Sequence, residues 1–354
     1  MLSDQSVRDA LKTVRYPGFS RDIVSFGLVK TIEVRDGKDV TVHMSLATKD
    51  QGIPEAIRAA ARGAIAGLPG VGEIDIDIRV QEPASAPAAA DGAAKSSIPG
   101  VKRVIAVASG KGGVGKSTVS ANLAVAMAAT GAKVGLCDCD LYGPSMALMF
   151  GTGDEQPYAN DQDQIIPLER HGIKLMSMGF LLADNAPVIV RGPMATRYIQ
   201  QFLRQVAWGD LDYLILDLPP GTGDIQLTIV QTVALDGAVI VTTPQEVALI
   251  DARKAVAMFD KVNVPILGLV ENMSWFECPS DGKRYYLFGR DGGMREAQKM
   301  SVPLLARIPL TEETRGSSDD GAPLALAATA GNGKAFHDLA AAVLAIIRNQ
   351  SIPL

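Results

Sequence analysis

The stretch GKGGVGKS, residues 110–117, constrains this chain most, because it fits the phosphate-binding pattern G-x-x-x-x-G-K-[ST] at every fixed position. A strand-like apolar run, residues 104–108, leads into it, and residues 118–130 continue with helical spacing. Glycines let backbone N–H groups approach a polyphosphate, and the positive end of the following helix attracts it. We predict that a nucleotide polyphosphate contacts Gly110, Lys111, Gly112, Gly113, Val114, Gly115, Lys116, Ser117 and Thr118.

Side chains within and after this loop predict a magnesium site. The pattern assigns Lys116 to the terminal phosphates and the Ser117 hydroxyl to Mg²⁺. Asp217 ends an apolar run, where a second partner of the metal is expected. Asp138 and Asp140 lie in another acidic loop. We assign Asp138 to the metal and Asp140 to the attacking water, and the two roles are interchangeable.

Composition excludes several other classes of protein. The net charge is −5 and no cluster of lysine or arginine forms a basic surface, which argues against nucleic-acid binding. The N-terminus lacks a signal-peptide pattern, and no run of about 18 apolar residues occurs, so we expect a cytoplasmic protein with no membrane partner. Three cysteines are too few for a disulfide framework, and alternation places Cys137 and Cys139 on one strand face, which favours core packing.

The chain divides into three parts by composition. Residues 1–80 read as a small α+β domain, with an Asp36-Gly37 hairpin turn. Residues 81–100 are rich in Ala, Pro, Ser, Asp and Gly and predict a flexible linker. Residues 101–354 alternate short apolar runs with helical stretches, which is typical of an α/β doubly wound, mostly parallel sheet. The predicted strands of this third part are residues 104–108, 134–137, 174–178, 213–216, 238–242, 266–270 and 304–308.

Lys111 is an addition that the phosphate-binding pattern does not require. With it, the string from Lys111 to Thr118 resembles the deviant Walker A motif of the MinD/ParA/nitrogenase-iron-protein class of P-loop ATPases. In that class the first lysine reaches the phosphates of the neighbouring subunit. The resemblance therefore implies an ATP-sandwich homodimer with Mg²⁺, in which Lys111 supplies positive charge to its partner's reaction beside the catalytic residues Lys116 and Asp140.

Further segments narrow this resemblance. The chain is similar to the Mrp/ApbC family of iron–sulfur cluster carrier ATPases at residues 138–145, 191–194, 217–224, 243–248 and 271–274. Residues 1–80 resemble the MIP18-type domain that bacterial members often carry in front. The resemblance implies a protein that binds and hydrolyses ATP, holds a labile [4Fe-4S] cluster at its dimer interface and passes it to apoproteins. It also places the adenine base against Asn272, whose amide can donate and accept.

One departure from the family lies in the cluster site. The family's Cys-x-x-Cys supplies two thiolates per subunit and four per dimer, the number that a [4Fe-4S] cluster needs. This chain has Cys278 but carries Asp281 at the second position, and carboxylate is a harder ligand than cluster iron usually takes. Cluster binding through Cys278 therefore stays open. The alternative is an ATP-dependent dimerising scaffold or adaptor of the MinD/ParA class that carries no cluster.

Overall fold

A computed structural model gives the fold and describes residues 2–17, 22–25, 27–47, 52–81, 95–153, 155–162, 164–181, 199, 202–327 and 331–350. The chain divides into a smaller unit, which includes residues 1–94, and a larger unit, which begins at Lys95. Within the described ranges, every helix is too short or too polar to cross a lipid bilayer.

The smaller unit is built on a three-stranded sheet. Its elements are α1 Asp4–Leu11, β1 Val29–Arg35, β2 Asp39–Ala47, α2 Gly52–Ala66 and β3 Ile74–Gln81. The β1–β2 hairpin turns at Asp36 and Gly37, whose φ angles of 53° and 67° are the left-handed values that a tight hairpin turn needs. β2 and β3 run parallel, so the chain crosses over between them through α2.

The larger unit is built on an eight-stranded sheet with the order β13-β10-β9-β4-β8-β5-β7-β6. The neighbours run parallel, except that β6 pairs antiparallel with β7 at the edge. The predicted doubly wound, mostly parallel sheet is confirmed. The strands, with a separate β11–β12 hairpin, are β4 Val101–Ala108, β5 Val134–Asp138, β6 Leu168–Arg170, β7 Ile173–Ser177, β8 Leu211–Asp217, β9 Gly237–Thr242, β10 Ile266–Glu271, β11 Phe276–Glu277, β12 Arg284–Tyr285 and β13 Leu304–Arg307.

Helices cover the central strands on both faces. Every residue of β5 and of β9 is buried, which explains why these segments read as continuous apolar runs rather than alternating ones. The helices of this unit are α3 Lys116–Ala128, α4 Met146–Met149, α5 Asp224–Thr232, α6 Glu246–Lys261, α7 Gly292–Met300, α8 Glu312–Asp319 and α9 Lys334–Gln350.

The structure describes the last part of the predicted linker, residues 81–100. The Ser96 backbone N–H donates to the carbonyl of Thr232 at 2.9 Å, and Ile98 is buried. Residues 95–100 therefore pack on the larger unit rather than forming free linker. Residues 82–94 lie outside the described ranges, so the linker and the domain boundaries stay predictions.

The sheet order brings the predicted site together. β4, β8 and β5 are parallel neighbours in that order, so the loops that follow them leave the same edge of the sheet. Register pairs Val107 with Asp217, and Asp217 with Asp138. The phosphate-binding loop after β4 and these two carboxylates consequently lie side by side at the carboxyl edge, where doubly wound sheets bind ligands.

Candidate functional site

The phosphate-binding loop is shaped by glycines that admit no side chain. Gly113 and Gly115 have φ angles of 79° and 78°, in the left-handed region. A Cβ on Gly110 would lie 2.1 Å from the carbonyl of Asp251, and a Cβ on Gly115 would lie 2.2 Å from Nδ2 of Asn272. The loop is therefore held at both ends by neighbouring elements, while Gly112 and Gly113 at its middle are exposed.

A buried ion pair lies directly beneath the loop. Nζ of Lys116 is 2.6 Å from Oδ1 of Asp217, with side chains 5% and 0% exposed. The Ser117 hydroxyl donates to Oδ2 of Asp217 at 2.7 Å, and the Ser120 hydroxyl donates to Oδ1 at 2.6 Å. We call these four residues the Lys116–Asp217 cluster. Such a pair is stable only because each charge compensates the other.

Asp138 adds a second buried carboxylate beside this cluster. Its side chain is 0% exposed and accepts from the backbone N–H groups of Asp140, Ser145 and Met146 and from the Ser177 hydroxyl. Burial, and then the negative charge of Asp217, raises the pKa of Asp138 from 3.8 to about 7. Three of these donors belong to the backbone of the 140–146 loop, so Asp138 organises that loop as well as facing the site.

These residues fit a magnesium nucleotide. Two buried carboxylates, Asp138 and Asp217, face one buried cation, Lys116, so a divalent cation would balance their charge. The Ser117 hydroxyl and the Asp217 carboxylate are hard oxygen ligands of the kind Mg²⁺ prefers. The first turn of α3 has no side-chain cap, because its N-cap residue is Gly115. Its N–H groups are consequently suited to a phosphate.

Asp140 lies at the mouth of the site, on a cleft of about 560 Å³. One carboxylate oxygen, Oδ1, accepts from the backbone N–H groups of Tyr142 and Gly143, each at 3.1 Å. The segment that follows Asp217 lines the same cleft. The lining residues are Asp140, Tyr142, Gly143, Pro219, Pro220, Gly223, Asp224, Ile225 and Gln226.

Lys111 differs from Lys116 in its surroundings. It is half-buried, and its backbone carbonyl accepts from the Ser109 hydroxyl at 2.9 Å. In the part of the chain that the structure describes, its ammonium makes no salt bridge or hydrogen bond. Thr118, the last predicted residue of the loop, is half-buried, and its carbonyl accepts from Nδ2 of Asn122.

Asn272 contacts the phosphate-binding loop directly. Nδ2 of its amide donates to the carbonyl of Val114 at 2.9 Å, and the residue is 7% exposed. The preceding residue, Glu271, is fully buried and accepts from Gly293 and Arg307. The structure thus gives Asn272 a role in holding the loop, and its predicted contact with adenine stays a prediction.

Cys278 lies in the loop of the β11–β12 hairpin and is partly exposed. Its Sγ is 3.0 Å from the Ser280 hydroxyl. Asp281 accepts from the backbone N–H of Lys283 at 2.9 Å and from the Tyr285 hydroxyl at 3.0 Å, and the Lys283 contact chiefly lowers its pKa. Among the described residues, no group of three or more His, Cys, Asp or Glu side chains is placed to hold a metal ion.

The other two cysteines are in the core, as the sequence predicts. Cys137 and Cys139 are fully buried, with their sulfur atoms 3.8 Å apart, and burial raises the pKa of Cys137 well above its usual value. Residues 191–194, part of the family resemblance, lie outside the described ranges. No sequence pattern indicated Ser120, Ser177 or Gln226, because a single Ser or Gln in a helix or strand follows no recognisable spacing.

Comparisons with known proteins agree on one family. The chain matches the profile of the NUBPL iron-transfer P-loop NTPases over residues 100–344 and that of an iron-sulfur cluster assembly protein over residues 4–76. It is 46% identical over 318 residues to the iron-sulfur cluster carrier protein of Deinococcus radiodurans, covering 90% of this chain and 88% of that protein. The protein of the same name from Aquifex aeolicus is 42% identical over 340 residues, covering 91% and 92%.

Solved structures agree with the fold. A nucleotide-binding protein from Archaeoglobus fulgidus, in complex with ADP, has a TM-score of 0.58 and 41% identity over 67% of this chain and 92% of that chain. The cell division ATPase MinD of Pyrococcus furiosus has a TM-score of 0.53 and 24% identity, over 69% of this chain and 99% of that one. The second likeness shows the fold of the larger unit alone.

Proposed function

This chain belongs to the NUBPL iron-transfer P-loop NTPase family, and from that premise we propose that it is an ATP-hydrolysing carrier that assembles or transfers iron–sulfur clusters to apoproteins. The observation that carries the ATP part is the buried Lys116–Asp217 cluster beneath an exposed glycine loop. The iron–sulfur part of the proposal is supported by the names of the relatives and by the partly exposed thiol of Cys278 on the β11–β12 hairpin.

In the proposed reaction, the chain binds and orients ATP and a water molecule. The loop N–H groups and the α3 N-terminus hold the phosphates, and Lys116 exchanges part of its contact with Asp217 for the terminal phosphates. Ser117 and Asp217 would hold Mg²⁺, and the buried carboxylate of Asp138 would lie next to them. The metal would neutralise the negative charge that develops on the phosphates. Asp140 orients the water for in-line attack on the γ-phosphorus, and ADP and phosphate leave.

We place Lys111 in the partner's site of a homodimer. Lys111 is half-buried and its ammonium has no ionic partner in the described part of the chain, so it is available to a second copy. A cation brought to the phosphates only when two copies close would couple hydrolysis to dimerisation, as an arginine finger does. This arrangement makes ATP turnover dependent on protein concentration.

The proposed cargo site joins two hairpins across the dimer. With one Cys278 per subunit, the dimer supplies two thiolates, whereas a [4Fe-4S] cluster needs four ligands. Further ligands would come from Asp281 or from the recipient apoprotein. The smaller unit, which matches an iron-sulfur cluster assembly protein, is proposed to act in the same process.

One observation favours a second candidate, a dimerising adaptor that carries no cluster. Asp281 replaces the second cysteine and already accepts from Lys283 and Tyr285, so releasing it as an iron ligand costs two hydrogen bonds. Iron binding by the purified protein distinguishes the adaptor from the carrier.

The two P-loop lysines provide the test of the ATP mechanism. We expect Lys116→Ala to abolish ATP binding, because it removes the buried cation. We expect Lys111→Ala to bind ATP nearly as the parent does and to lose hydrolysis, because its charge acts on the partner. Nucleotide binding is measured by titration with a fluorescent ATP analogue and turnover by phosphate release. Equal loss of binding and turnover in both variants would contradict the trans role of Lys111.

A further inference from the structure

One buried amide that lines the cleft is unpaired among the described residues. Gln226 is the third residue of α5, directly after the loop that follows Asp217. It is 1% exposed, and neither its Nε2 nor its Oε1 has a hydrogen-bond partner among the described residues. Native proteins seldom bury an amide without partners, because the group loses its hydrogen bonds to water and gains none in return.

Asn122, another buried amide, shows how such a group is paired when it serves the fold. Asn122 on α3 is also 1% exposed, but its Nδ2 donates to the carbonyl of Thr118 and its Oδ1 accepts from the N–H of Ala325, both at 2.8 Å. Asn122 therefore ties two segments together. Gln226 makes no such contact with any described residue, which points to a partner that arrives with the substrate.

The cleft that Gln226 lines also contains a carboxylate with one oxygen unpaired among the described residues. Asp140 and Gln226 line the same space of about 560 Å³. Oδ1 of Asp140 accepts two backbone N–H groups, whereas its Oδ2 has no hydrogen-bond partner within the described residues. The cleft thus offers an acceptor oxygen on Asp140 and an amide on Gln226 that can accept and donate.

The loop before α5 has open space beside two of its glycines. Gly221 has a φ angle of 90°, and nothing lies within 4 Å of the position that a Cβ would take on Gly221 or on Gly223. The Gly221 N–H donates to the carbonyl of Ser109, directly before the phosphate-binding loop, at 3.0 Å, so the segment that leads to Gln226 lies beside that loop.

We propose that Gln226 is a catalytic residue that, with Asp140, holds the water for ATP hydrolysis; this rests on the ATPase activity proposed above. Oδ2 of Asp140 accepts one O–H of the water and Oε1 of Gln226 accepts the other, which aims an oxygen lone pair at the γ-phosphorus. Nε2 of Gln226 donates to a γ-phosphate oxygen. The new P–O bond forms as the bond to the bridging oxygen breaks, its electrons leave with ADP, and one water proton passes to Asp140.

The test is Gln226→Met, with Gln231→Met as the matched control on the exposed face of the same helix. We expect Q226M to lower kcat for ATP by at least about 10-fold, since water orientation is lost, and to leave the KM for ATP within about twofold. We also expect its melting temperature without nucleotide to rise by about 2–4 °C, because an unpaired buried amide is removed. Q231M should match the parent in all three quantities.

The outcomes separate this inference from the proposed function. Parent-like kcat in Q226M overturns the role of Gln226 and leaves the ATPase proposal intact. A loss of ATP binding in step with turnover overturns it too, because that result indicates a structural role. A parent that binds ATP without hydrolysing it overturns both. If Q226M fails to fold, Gln226→Asn replaces it, because this change shortens the side chain by one methylene and keeps the amide. Gln226→Asn must then show the same fall in kcat at unchanged KM. Full turnover by Gln226→Asn refutes the inference.

Discussion

Replacing Lys116 by methionine tests the buried cluster through stability as well as through activity. In the parent, Lys116 and Asp217 are in contact at 2.6 Å, and the carboxylate is fully buried. Lys116→Met leaves that carboxylate with two serine donors and no cation. Breaking one side of a buried ion pair costs about 3–5 kcal/mol, because an uncompensated charge stays buried. For a unit of this size the melting temperature should fall by roughly 6–20 °C.

The assay is thermal unfolding without nucleotide and with a metal chelator, so that ligand binding does not contribute. Lys111→Met is the matched control: it removes a lysine from the same loop, but one with no ionic partner in the described chain, and we expect a change below about 0.5 kcal/mol. Adding Asp217→Asn to Lys116→Met removes the orphaned charge and should restore most of the loss.

Two results would refute this reasoning. One is a Lys116→Met variant that melts within about 2 °C of the parent, since the buried pair would then contribute little. The other is a double variant that is as unstable as the sum of its two single variants, since the two charges would then not be coupled.

Two further predictions concern the same edge of the sheet. The pKa of Asp138 is raised from 3.8 to about 7 in the fold, so the folded state holds that proton more tightly. The stability that this group contributes is therefore complete below about pH 4 and declines by up to about 1.4 kcal/mol per pH unit towards pH 7. Urea unfolding midpoints measured across this range should show the decline, and Asp138→Asn should flatten it. An equal slope in the parent and in Asp138→Asn would contradict the assignment. Gly115→Ala should abolish ATP binding, because its Cβ would lie 2.2 Å from Nδ2 of Asn272. The control Gly131→Ala is also at positive φ but in open space, and it should bind ATP normally. ATP binding by Gly115→Ala at the parent's level would show that the loop tolerates a side chain.

The central strands were predictable because their signal is local and strong. Strands buried on both faces must be apolar throughout, and each predicted run of the third part coincides with an observed strand to within a few residues. The edge strand β6 was not predicted, because its three residues, Leu168, Glu169 and Arg170, are too few to show an alternation of apolar and polar side chains. The first helix ends at Leu11, and shortly after it the Thr13 hydroxyl donates to the carbonyl of Ala10 instead of the chain continuing as helix.

The site was predictable where a motif fixes both the residue type and the spacing. Lys116, Ser117 and Asp217 follow from the P-loop pattern and from an acid at a strand end, and the structure brings them into contact. Ser120 and Gln226 could not be found from the sequence, because their roles depend on which loops the sheet order places together. The contact of Asn272 with Val114 likewise spans 158 residues of chain and leaves no local signal.

Anaerobic reconstitution with iron and sulfide, followed by metal and sulfide analysis, tests the carrier function most directly. A [4Fe-4S] cluster shared by two subunits predicts about two iron and two sulfide per chain. Cys278→Ser should reduce both to background, while Cys139→Ser, a change in the buried core, should bind as much as the parent. A parent that takes up no iron, or a Cys278→Ser variant that takes up as much as the parent, would contradict cluster carriage on this hairpin.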